Sequence, residues 1–105
     1  RARVNKIFIV GNLTRDPERV VFDSGKIKAT FTVAVNRLHD REKADYFTVI
    51  VWNALAENCC KYLAQGKKCA VVGSHESRKY EKDGVEHTVW EVAADNVEFL
   101  SPVER

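Results

Sequence analysis

A single helix-like segment in a chain otherwise patterned as strand is the feature that most narrows the fold. NALAENCCKYLAQ, residues 53–65, brings Leu55, Cys59, Tyr62 and Leu63 together at helical spacing, with Asn53 placed to cap its start and Gly66 to end it. The remaining patterned segments read as strand. In KIKATFTVAVN, residues 26–36, Ile27, Ala29, Phe31, Val33 and Val35 face one way and Lys28, Thr30, Thr32, Ala34 and Asn36 the other, the period of a half-buried strand. VNKIFIVGNL (4–13) is a strand with apolar residues on both parities, so a loop or a partner subunit should cover its second side. TRDPERVVFDSGK (14–26) connects these two through Pro17 and a turn at Asp23–Ser24–Gly25. After the charged connector RLHDREKA (37–44) comes the strand DYFTVIVW (45–52). Beyond the helix, KKCAVVGSHESRKY (67–80) returns to strand, the Glu81–Gly84 turn reverses it, residues 86–94 pair back, and 96–100 add a last apolar piece.

The predicted order is three strands, one helix, two strands. One small helix cannot cover the apolar faces of an open sheet, whereas a closed barrel buries them and removes the edges. The expected class is all-β with one short helix: a five-stranded oligonucleotide-binding barrel, filling residues 1–105 as a single domain because so short a chain has no room for a second core. In that plan the loops after the second and fourth strands flank the ligand groove, here residues 37–44 and 79–87.

DYFTVIVW carries the functional argument. Phe47, Val49 and Val51 suffice as a core row, leaving Tyr46, Thr48, Ile50 and Trp52 on the other face, too apolar for ordinary wet surface. Tyr46 and Trp52 stand roughly 20 Å apart along an extended strand. That suits stacking of different nucleotides on one track rather than a cage for one small ligand, and packing on another subunit is the competing use. Tyr80 ends the long strand beside Arg78, Lys79 and Lys82, and rings interleaved with cations serve bases and backbone respectively. Arg3, Lys6, Lys28, Arg37 and Lys67 extend the candidate backbone contacts. Residues 1–43 hold 10 Lys/Arg against 5 Asp/Glu, within a net charge of +2. Trp90 is compatible with core, interface or platform, and packing is the expectation.

Enzyme chemistry has little support. His39, His75 and His87 lack ligand spacing, and in Ser74–His75–Glu76 the histidine points away from both neighbours across a strand. Cys59, Cys60 and Cys69 show no recurring metal pair and read as free thiols. No catalytic residue, metal or cofactor is expected. Without an apolar run of about 20 residues or a signal pattern, a cytoplasmic protein with no membrane partner is expected.

NKIFIVGNLTRDPE (5–18), ATFTVAVNR (29–37), WNALAENCCKYLAQGKKCAVVG (52–73), SRKYEKDG (77–84) and EVAADNVEFL (91–100) closely resemble the bacterial single-stranded DNA-binding protein family, in order and over nearly the whole chain. The resemblance implies a homotetramer that wraps single-stranded DNA in replication, recombination and repair, with a dimer as the lesser assembly. It places stacking at Tyr46, Trp52 and Tyr80. A further family stacking position falls near Leu38, which is not aromatic, and Ser74 stands where a basic residue is frequent. The sequence stops at Arg105 without the family's flexible linker and acidic tip, so poor recruitment of replication proteins is expected. The rival readings are a primosomal-type accessory barrel of the same fold and an adaptor barrel that uses its aromatic row as a protein interface.

Overall fold

Alternating segments with one apolar face pair into a sheet that must curl to bury that face. In the computed structural model, which describes residues 3–101, the elements are β1 (Ile7–Leu13), β2 (Glu18–Val21), β3 (Ile27–Asn36), β4 (Ala44–Trp52), α1 (Asn53–Tyr62), β5 (Lys68–Lys82) and β6 (Val85–Phe99). The sheet runs β1–β5–β6–β4–β3 and returns to β1 through Asn12↔Ala34 and Leu13↔Val33, closing a five-stranded ring. Among the described residues, only the β4–β6 seam is parallel. Among the described residues each strand of the ring has a partner strand on both sides, as expected of an oligonucleotide-binding barrel.

The inward rows are those the alternation assigns. Ile9 and Leu13, Ala29, Phe31 and Val33, Val49 and Val51, Val71, Val92 and Val97 form the core, and Phe47 packs at its margin. Ala56 and Cys59 of α1, with Leu63 just beyond it, join the same core from the helix side. At the closing seam, a Cβ on Gly11 would overlap the carbonyl oxygen of Ala34, so only glycine lets β1 and β3 approach there.

Several expectations need correcting. Residues 14–26 are more than a connection: β2 lies within them and pairs with β3 from Glu18↔Thr30 to Val21↔Ile27. Asn53 does not cap α1. Its backbone sits at φ 53°, Trp52 occupies the cap position, and the Asn53 Oδ1 accepts the Ile27 N–H at 3.2 Å, tying the helix start to β3. The helix ends at Tyr62, where the next residue turns extended. Residues 86–94 and 96–100 are one strand, kept continuous by a register shift opposite Val72/Gly73. Residues 79–87 are not an open loop: the β5–β6 ladder continues to Lys82↔Val85, and Asp83 and Gly84, both at positive φ, make a two-residue reversal.

Among the described residues, no loop covers the outer side of β1: Phe8 is 69% exposed and Val10 is also open. Among the described residues, no helix is long and apolar enough to cross a membrane.

Candidate nucleic-acid interface

On β4 the outward row is Tyr46, Thr48, Ile50 and Trp52, and the structure divides it. Ile50 is buried rather than open, because Ala93 of β6 lies beside it across the parallel seam. The two ends remain accessible. Trp52 is 44% exposed. Its register partner on β3 is Lys28, whose Nζ lies 5.8 Å from the indole centroid. Phe22 stacks on the same indole at 6.0 Å with 25° between planes. The β2–β3 turn holds Phe22 there: its N–H donates to the Lys26 carbonyl, and its own carbonyl accepts from Gly25 N–H.

Beside Trp52 lies a trough of about 220 Å³ lined by Lys28, Ile50, Glu76, Arg78 and Glu91. Arg78 donates from Nε to Glu91 at 3.1 Å, and its guanidinium sits 5.7 Å from the Tyr80 ring. Tyr80 stacks on His87, its partner across the hairpin, at 5.1 Å and 20°. Trp52, Lys28, Arg78 and Tyr80 therefore form one neighbourhood. Tyr46, 67% exposed, belongs to another: a trough of about 340 Å³ that it shares with Asp45, Phe47, Thr48, His75 and Trp90.

The candidate cations differ in how they are held. Lys6 pairs with Asp95 at 3.0 Å, Lys79 with Glu86 at 3.7 Å, and Arg37 reaches both oxygens of Asp45. That hydrogen bonding, with the Asp45 charge, holds the Arg37 guanidinium above its ordinary value. Arg3 is exposed ahead of β1, Lys82 is exposed at the hairpin tip, and Lys67 is half-buried between α1 and β5. Such exposed ion pairs are weak and exchangeable, so a polyanion can compete for the cation. Among the described residues, no group of three or more His, Cys, Asp or Glu could hold a metal ion.

Aromatic faces bordered by cations, carried on a small closed barrel, are the attributes of a single-strand reader, and comparison with known proteins agrees. Residues 4–100 match the single-strand binding protein family. The chain belongs to that family. It is 42% identical over 104 residues to single-stranded DNA-binding protein 1 of Staphylococcus aureus, covering 94% of this chain and 67% of that protein. It is 38% identical to the single-stranded DNA-binding protein of Bacillus cereus, covering 94% of this chain and 61% of the relative. The same identity and coverage of this chain apply to single-stranded DNA-binding protein 2 of Listeria innocua, of which 65% is covered. The chain thus spans roughly two thirds of the length of these relatives.

Two rings escaped the reading of the sequence. Phe22 was hidden because its place beside Trp52 depends on the β2–β3 hairpin; the apolar run VVF before Asp23–Ser24–Gly25 was the available signal. Trp90, expected to pack away, is 59% exposed and leans on His75, ring centroids 4.8 Å apart. Leu38, near which the resemblance implies a further stacking position, is 88% exposed in the short β3–β4 connection.

Proposed function

We propose that this domain binds single-stranded DNA without reading its sequence, by stacking bases on Trp52, Tyr46 and Tyr80 and meeting phosphates with Lys and Arg side chains. The observation that carries this reading is the open Trp52 ring, flanked by Lys28 and Phe22 and continued by Arg78 toward Tyr80. A ring accepts any base on its face, at about 1–3 kcal/mol per base. Lys28 and Arg78 are nearest to these rings; Arg3, Lys6, Arg37, Lys67, Lys79 and Lys82 serve the backbone more peripherally. The domain acts by binding, not by catalysis. Its place is the cytoplasm, protecting single strands during replication, recombination and repair.

The assembly that fits is a homo-oligomer, a tetramer before a dimer. Phe8 and Val10 leave the outer side of β1 apolar and uncovered among the described residues, which supports a partner subunit there.

The test is titration of fluorescently labelled oligo-dT with the parent and with Trp52→Ala. Affinity should fall about tenfold, the equivalent of about 1.4 kcal/mol, with unchanged circular dichroism, and both proteins should release DNA as salt rises. Equal curves for the two proteins would remove Trp52 from the site. An absence of binding by the parent at low salt would reject the function.

A further inference from the structure

β4 and β6 run parallel and meet only at Val49↔Val92 and Ile50↔Ala93 among the described residues. Before that contact the two strands diverge, because β4 continues toward β3 while β6 follows β5 out along the hairpin arm. The 340 Å³ trough lies in the resulting V: Asp45 to Thr48 form one wall, and His75, Trp90 and Val92 the other. Its volume is within the usual range for a bound small molecule.

The lining is selective in kind. Trp90 supplies a large flat ring, 59% exposed, with His75 tilted 46° against it. Tyr46 stands open on the facing strand. Polar groups are few: the Thr48 hydroxyl, the His75 nitrogens and the Asp45 carboxylate, whose charge is matched by the paired Arg37. On its β6 side, the β4 backbone before Val49 is outside the ladder and can offer amide and carbonyl groups. A planar heterocycle with hydrogen-bonding edges satisfies all of these at once.

We infer that the Trp90–His75 trough is an additional nucleobase subsite, filled by a base of the same strand that lies on Trp52 and Tyr46. The inference rests on the reading given under Proposed function and extends it. Continuity supports that occupant: Trp52 and Tyr46 share the outward row of β4, and Tyr46 is itself a wall of the trough. A strand laid along β4 from Trp52 toward Tyr46 arrives at Trp90.

The chain has two tryptophans, Trp52 and Trp90, so each can be made the sole emitter. In Trp52→Phe, oligo-dT binding is followed by anisotropy of a labelled strand and, in parallel, by Trp90 emission. DNA should quench Trp90 with the same midpoint as the anisotropy change, and Trp90→Ala should bind about tenfold more weakly while keeping its circular dichroism and mass. Binding by anisotropy with Trp90 emission unchanged would overturn the subsite and leave the broader function standing. The same holds if Trp90 emission shifts only with protein concentration, which would make the trough a contact between chains. If Trp52→Phe fails to bind, the parent decides: binding by the parent with no loss in Trp90→Ala overturns the subsite alone, and no binding by either rejects the function itself.

Discussion

Cys59 and Cys69 are wholly buried in the barrel, where burial pushes their thiols up to about 12 and about 11, and in Cys59 the nearby Cys69 adds to the effect. Cys60, one residue on, is only half-buried; desolvation raises it while Arg19 opposes. A thiolate is the reactive form, so these positions should separate by rate. At pH 8, maleimide should modify Cys60 alone in the native protein and all three thiols in urea, read by mass spectrometry. The sign of the stability effect follows. Ordinary thiols ionise near 9, so above that value the unfolded chain loses protons that the folded chain still holds. Stability from this source is complete below about pH 9 and falls as pH rises toward the folded values. Urea midpoints measured from pH 8 to 10.5 should decline, and replacing Cys59 with Ser or Ala should flatten part of that decline. The outward side of Tyr46 and Trp52 was legible because alternation along β4 fixes which side a ring takes, and Tyr80 was marked by the basic residues around it at the end of β5. Phe22 and Trp90 were not legible in this way, since their exposure depends on strands joined far along the chain.

At the scale of elements, the strands were legible where one parity was apolar, as in β3, and poorly legible where pairing set the outcome. β2 has all four residues exposed, so no core-facing row announces it. The far half of the β5–β6 arm is likewise exposed from Ser77 to Lys82 and pairs only because Asp83–Gly84 supplies the reversal. Asn53 misled because the polar residue before a helical run is usually its cap, whereas here its side chain fastens β3. The barrel seam makes a sharper test. Gly11 faces inward where β1 crosses to β3, and a methyl group there meets the Ala34 backbone, which cannot rotate aside. Gly11→Ala should cost about 1–3 kcal/mol, the usual penalty of overpacking, seen as a lower urea midpoint. Gly25→Ala has open space around it and a φ of 89°, so it should instead show only the smaller cost of a strained turn. Equal losses at the two positions would mean that the seam is not closed as described.

The whole molecule is less compact than its length implies. Its radius of gyration is 14.9 Å, against about 13 Å for a sphere-like domain of this size, and the far half of the β5–β6 arm is exposed rather than packed in the core. A lone chain with a projecting arm and an open apolar row on β1 exposes more than a small domain can easily sustain. Phe8 has Val72 as its neighbour on β5, and Val10 has Ala70, so the outer row spans two strands rather than one residue. Such a two-strand row, most open at Phe8, suits a self-complementary contact between copies. That contact alone predicts twice the 12.0 kDa chain mass by light scattering on the parent, and the tetramer proposed above predicts four times. Phe8→Glu places a charge in that contact without entering the core, and should shift the mass toward a smaller species while circular dichroism stays unchanged. Affinity for short oligo-dT should persist in the variant, because Trp52, Lys28 and Arg78 lie on one chain. Long oligo-dT should lose more, since a smaller assembly offers fewer linked sites to one strand. A parent that remains at one chain mass across concentration would show that the DNA is bound by single barrels, and a Phe8→Glu variant of undiminished mass would show that this row is not the contact.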